Sequence, residues 1–217
     1  ARLSSGIPFG ESECVPMGAG AGLICSFSHH TTFARRTARE FLDNANASLS
    51  DASRKWHEAG KVIITLGTAW IYEHVRSGET VSNCLKIDAG EFSRRRLTVR
   101  ETAVLLMNMV GRHPDKEFLF TVSPIRHLKD GAHGNQLSKS TLLLALDEVL
   151  AKFPERCEYF PAYEIVLDEL RDYRFYAADM IGASLNLVDP RYSAEGIHEY
   201  IEEVSSRLLI CLNVAYE

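Results

Sequence analysis

Between Arg35 and Ala59, apolar side chains recur at Ala38, Phe41, Leu42, Ala45, Leu49, Ala52 and Trp56 with polar residues between them. A period of 3.6 residues gathers them on one face, so the spacing predicts an amphipathic helix over 35–59, stopped by Gly60. The period then changes. Val62-Ile63-Ile64-Thr65-Leu66 is a short, unbroken, β-branched run ending at Gly67, the pattern of a parallel strand covered on both faces. Thr98 followed by Glu101 forms a capping box ahead of Val104, Leu105, Met107 and Met109, which marks a second helix. Glu117–Val122 reads as another covered strand, broken by Ser123-Pro124, because the residue before a proline is steered to extended backbone. Lys139–Phe153 reads as a helix with a broad apolar face, Tyr159-Phe160 as a third short strand, and 162–170 as helical. Ala194–Leu212 is expected to be a closing helix with Ile197, Ile201, Val204 and Leu208 on one side. Residues 1–22, rich in Gly, Ser and Pro, show no period and read as a loop or poorly ordered arm ahead of an α/β domain over 23–217.

Strands alternating with helices in this way predict a parallel sheet with helices on both faces, in which function collects at the carboxyl ends of the strands. With 217 residues, 46% of them hydrophobic, the chain is long enough to bury one substantial core without disulfide or metal staples. A net charge of −5 argues against nucleic acid or an anionic membrane as partner. The run Arg94-Arg95-Arg96 has no interleaved aromatics and reads as a solvated face. Cys14, Cys25, Cys84, Cys157 and Cys211 are widely spaced and odd in number, so neither a disulfide framework nor a zinc site is implied and a reducing, cytoplasmic setting fits best. No apolar run approaches the roughly 20 residues of a membrane helix. Because the first residue is Ala1, the natural start, with any signal peptide, is expected to have been removed or to lie upstream.

Three segments carry candidate chemistry. Leu66-Gly67-Thr68-Ala69-Trp70 follows the first strand, where a glycine lets backbone approach a ligand and the N–H groups beyond it can face an anion; a plain turn is the alternative. Ser123-Pro124-Ile125-Arg126-His127 follows the second and packs a hydroxyl, an anion-binding fork and a group that titrates near neutral pH into five residues. Ser26-Phe27-Ser28-His29-His30 offers adjacent histidines that could orient a substrate or serve as acid and base, or be ordinary surface side chains. No HExxH or partnered carboxylate spacing accompanies them, so no metal is predicted, and nothing implies a cofactor.

Ile64–Trp70, Thr121–Gly131 and Tyr163–Asp179 together resemble the GSCFA domain family, over roughly residues 20 to 180. The resemblance implies a three-layer sandwich with a parallel sheet, flavodoxin-like and related to the SGNH (GDSL-type) hydrolases, here expected to lack its first strand and helix. It also implies cleavage or transfer of acyl esters through a serine, an oxyanion hole and an Asp-x-x-His pair. The departures fall on those motifs. The sequence has no Gly-Ser-Cys-Phe-Ala; Asp179 is followed three positions later by Gly182 and Asp189 by Tyr192; Ser28 stands where the family usually has aspartate, and Leu85 where it usually has histidine.

The reading is therefore an incomplete or degenerate acyl-ester hydrolase or acyltransferase domain. Asp179, His127 and Ser123 are its catalytic candidates. Gly67, Thr68, Arg126, His29 and His30 are its oxyanion or substrate-binding candidates, and a small-molecule or carbohydrate ester is its substrate class. Such a chain is expected to turn over small activated esters no better than a histidine-bearing surface. The alternative is a non-catalytic module that holds an anionic or carbohydrate ligand in the same cleft.

Overall fold

A computed structural model of the chain describes residues 2–18, 20–170 and 208–213. In chain order the elements are helix α1 (Arg2–Ser5), strands β1 (Val15–Pro16) and β2 (Ile24–Cys25), helix α2 (Ala38–Glu58), and strands β3 (Lys61–Leu66), β4 (Trp70–His74), β5 (Thr80–Val81) and β6 (Phe92–Arg96). Then come α3 (Val99–Arg112), β7 (Glu117–Val122), α4 (Gly131–Lys152), β8 (Cys157–Phe160), α5 (Ala162–Glu164), continued by a π-helical segment over Ile165–Leu170, and β9 (Leu208–Asn213). The chain divides into two compact units. Of the described residues, one unit takes in those up to Glu58 together with Trp70–Arg96, and the other Ala59–Ala69 together with 97–170 and 208–213.

The second unit holds a four-stranded sheet in the order β8-β7-β3-β9, with every neighbouring pair parallel. This is the α/β class with a parallel sheet flanked by helices that the alternating pattern predicted. β3 and β7 pair without slippage from Lys61↔Glu117 to Leu66↔Val122, so both strands end at the same edge. Their apolar runs are continuous because the sheet is covered: Val62, Ile64, Phe118, Leu119, Phe120 and Val122 are all buried. α4 packs on β7 and β8 and against α3, burying Leu142, Ala145, Leu146 and Val149 from one helix and Ala103, Leu106 and Val110 from the other. Each large apolar side chain so buried contributes about 1.5–3 kcal/mol. The capping box at the start of α3 forms as predicted: Thr98 Oγ1 accepts from Glu101 N–H at 3.1 Å, and the Glu101 carboxylate accepts from Thr98 N–H at 2.8 Å.

Two boundaries differ from expectation. α4 begins at Gly131, two turns before Lys139, because Gly131–Leu137 is polar and gives no apolar period to read. The closing helix expected through Leu212 is overturned over Leu208–Leu212, which belongs to β9 and pairs parallel with β3. A short contiguous apolar run suits either element, and pairing with an open strand edge decides for the strand. Residues 194–207 of that expected helix lie outside the described residues.

In the first unit, β4 is the centre of an antiparallel sheet in the order β5-β4-β6, and β1 pairs with β2. The glycine-rich opening is tied to this unit. Phe9, Cys14, Val15 and Met17 pack on a cluster of Cys25, Phe41, Ala45 and Leu85, and Phe9 N–H donates to Asn46 Oδ1 at 2.7 Å. Gly18 is required at the closest crossing, since a Cβ there would stand 2.0 Å from the Lys86 carbonyl oxygen. Leu85 and Lys86 themselves adopt left-handed backbone, with φ of +53° and +56°. Arg94 lies over the Trp70 ring, 4.3 Å from its centroid, and Arg95 pairs with Glu73 at 3.2 Å.

Candidate functional site

The carboxyl edge of the parallel sheet is organised by the first turns of α4. Lys139 is fully buried, and its ammonium donates to the carbonyl of Gly67, just past β3, and to that of Ser123, just past β7, at 2.7 Å for the latter. One side chain therefore ties the two loops that follow adjacent strands. Its neighbour Ser138, also buried, accepts the Ala69 N–H at 2.7 Å through Oγ and shares a 3.0 Å hydrogen bond with Thr68 Oγ1. Ser123 N–H donates to the Leu66 carbonyl at 2.9 Å, which carries the strand pairing one residue beyond β7. The loop from Gly67 to Ala69 is thus held at three points, a rigid backing of the kind a binding edge requires.

Burial pushes the Lys139 ammonium down to about 8 from its ordinary 10.5, while the carbonyls it donates to favour the charged form. Tyr163 covers this region with its ring centroid 6.0 Å from the Lys139 Nζ, and its hydroxyl donates to Gln136 Oε1 at 2.7 Å. Lys139, Ser138, Gln136 and Tyr163 were absent from the sequence candidates. The signal was there: Lys139 lies in helical step with the buried Leu142 and Leu146, where a charge is out of place.

The predicted residues of this edge occupy the two loops. Gly67 and Thr68 follow β3; Ser123, Arg126 and His127 follow β7. Ser123 Oγ accepts from Ile125 N–H at 3.2 Å, a local turn bond, and His127 N–H donates to Asn135 Oδ1 at 3.0 Å, which ties the loop to α4. Asp179 lies outside the described residues.

The histidine pair belongs to the first unit, and its members differ. His30 is exposed and caps the short helix at Thr31–Phe33, its Nδ1 accepting from Thr32 N–H at 3.2 Å. His29 is half-buried in a box of rings, with centroids 4.5 Å from Phe9, 4.9 Å from Phe33 and 5.2 Å from Phe41. Its Nδ1 stands 2.6 Å from Ser26 Oγ. Burial holds the imidazole below its ordinary range; Arg2 acts in the same direction and Glu13 against it. Ser26 is also in the wall of a cavity of about 710 Å³ that includes Glu13, His74, Ser77 and Glu79. His74 is fixed by Ser77 Oγ, 3.0 Å from Nδ1, and by Glu91, 3.7 Å from Nε2.

The family model of the GSCFA family matches residues 14–192, most of the chain, across both the histidine segment and the two loops of the sheet edge. The chain belongs to the GSCFA family. No curated protein and no solved structure matches it. In this GSCFA chain Leu85, one of the departures from the family pattern, is a fully buried core side chain, so that position offers no titrating group to a site. Among the described residues, no group of three or more His, Cys, Asp or Glu side chains is placed to hold a metal ion, and no helix is long and apolar enough to cross a membrane.

Proposed function

We propose that the chain is an acyl-ester hydrolase or acyltransferase domain of the GSCFA family, acting on a small-molecule or carbohydrate ester, whose family nucleophile motif and Asp-x-x-His histidine are degenerate. The observation that carries this reading is the clamp at the sheet edge. Lys139 and Ser138 hold the Gly67–Ala69 and Ser123 loops in a fixed geometry, and preorganised backbone donors are what stabilise developing charge at an acyl centre. Two of the sequence candidates there help to build the loop: Ser123 Oγ takes a turn N–H, and the backbone of His127 is tied to Asn135.

The test is p-nitrophenyl acetate turnover by the chain and by Ser123→Ala and His127→Ala. On this reading neither substitution changes the rate by more than about twofold, whereas a working nucleophile or base contributes about 10²-fold or more. A saturable rate abolished by either substitution overturns the degenerate-edge reading and establishes Ser123 and His127 as a catalytic pair.

A further inference from the structure

We propose that Ser26, in the wall of the 710 Å³ cavity of the first unit, is a nucleophile with His29 behind it as its base, and that this couple takes the acyl group from an ester of a polyhydroxylated alcohol. The proposal rests on the reading of the chain as an ester-acting domain and assigns the nucleophile and base to residues of the first unit in place of Ser123 and His127.

Geometry comes first. A serine becomes a useful nucleophile when a neutral imidazole accepts its proton over about 2.6–3.2 Å, and Ser26 Oγ and His29 Nδ1 are 2.6 Å apart. The three phenylalanine rings around His29 fix the plane of the imidazole, and the backbone turn in which His29 N–H donates to the Ser26 carbonyl at 3.1 Å fixes the spacing between the partners. Removed from water, the ring stays neutral at pH 7, the state in which Nδ1 can accept. Ser26 is only 2% exposed overall, yet it belongs to the cavity wall, so the cavity is its route to a ligand.

The wall indicates what the cavity takes. Its volume falls in the range of small-ligand sites. Ser12, Ser28, Ser77 and Thr80 line it with hydroxyls, Glu13 and Glu79 add carboxylates, and Phe27 supplies an apolar face. This lining suits an uncharged polyol, whose hydroxyls donate to carboxylates and exchange hydrogen bonds with hydroxyls. An anionic ligand would meet the Glu79 carboxylate with no lysine or arginine in the wall, the Glu13 carboxylate being paired with Arg2 at 2.8 Å.

The step balances with water as co-reactant. The Ser26 hydroxyl proton passes to His29 Nδ1 as Oγ bonds to the acyl carbon; the ester C–O bond then breaks, and the alcohol leaves with the proton from His29. Water adds to the acyl-serine, giving up a proton through His29 that returns to Ser26 Oγ as the acid departs. Ser28 N–H, which donates to Ser26 Oγ at 3.2 Å, is a backbone donor at hand for the oxygen that becomes negative.

The experiment treats the full chain with a fluorophosphonate probe, with and without an acetylated monosaccharide as competitor, then digests it and maps the adduct by mass spectrometry while p-nitrophenyl acetate turnover is followed in parallel. One adduct at Ser26, suppressed by the sugar ester, is expected. His29→Gln should slow labelling by about 10²–10⁴-fold, and because the adduct is mapped on the unsubstituted chain, the result does not depend on that variant folding. An adduct at Ser77, Ser123 or another residue, or turnover with Ser26 unmodified, overturns the assignment and leaves the ester-acting reading standing. The absence of both adduct and turnover also overturns the assignment, and is the outcome that the degenerate edge by itself predicts.

Discussion

Replacing Lys139 with methionine keeps the length and apolar stem of the side chain and removes its donors. Lys139 is fully buried and donates to the carbonyls of Gly67 and Ser123. A hydrogen bond to a charged donor contributes about 1.5–3 kcal/mol, so losing two would by itself destabilise by several kcal/mol. Against this stands the cost of taking the ammonium out of water. A fall from 10.5 to about 8 corresponds to about 3 kcal/mol in favour of the neutral amine. At pH 7 the two effects largely offset, and Lys139→Met is expected to destabilise by only about 1–2 kcal/mol. The sign of the pH dependence separates them. Between pH 8 and 10.5 the unfolded chain binds the proton and the folded chain does not, so the lysine's contribution grows as pH rises, is complete above 10.5, and is lost as pH falls through 8. The neutral amine still carries N–H donors for both carbonyls. The gap between the chain and Lys139→Met should therefore widen by up to about 3 kcal/mol from pH 7 to 10.5. Guanidinium denaturation followed by far-ultraviolet circular dichroism, which reads α3 and α4 of the unit that holds Lys139, measures it. A gap that stays flat across that range would refute the buried, proton-shedding lysine.

Gly18→Ala is expected to destabilise the chain by about 3 kcal/mol, since the new Cβ would meet backbone at the Lys86 carbonyl; thermal unfolding at unchanged or higher temperature contradicts the crossing. Lys86→Gly, at an exposed position with φ of +56°, should stabilise by about 0.5 kcal/mol, the left-handed strain relieved less the entropy a glycine adds to the unfolded chain, and chemical denaturation reads it. The His29 imidazole should titrate below 6.5 by NMR, with burial as the main cause. Because its folded value is depressed, its contribution to stability is lost as pH falls from 6.5 through that value, and a titration at or above 6.5 excludes the ring box.

The parallel sheet was legible in the sequence because its strands are largely covered, β7 buried on both faces and β3 through Val62 and Ile64, and coverage writes itself as unbroken apolar runs: Val62–Leu66 and Glu117–Val122 match β3 and β7 to within one residue. The α3 cap was legible for a similar reason, being a local bond between Thr98 and Glu101. Gly67, Thr68 and Ser123 could be placed at strand ends from their positions alone. What the sequence left undetermined depends on pairing between distant segments. Leu208–Leu212 carries a pattern that fits helix or strand, and the open edge of β3 selected the strand. Lys139 read as the polar start of a helix until the fold set two carbonyls from other loops beside it, 72 and 16 residues away along the chain. Ser26 and His29 were visible as residue types, but only packing gave the histidine three phenylalanine walls and put the serine in a cavity. Local periodicity is fixed by the geometry of the backbone, which each segment carries within itself. Burial, and with it the state of a lysine or histidine, is a property of what comes to surround the side chain, and that exists only once the distant parts of the chain have met.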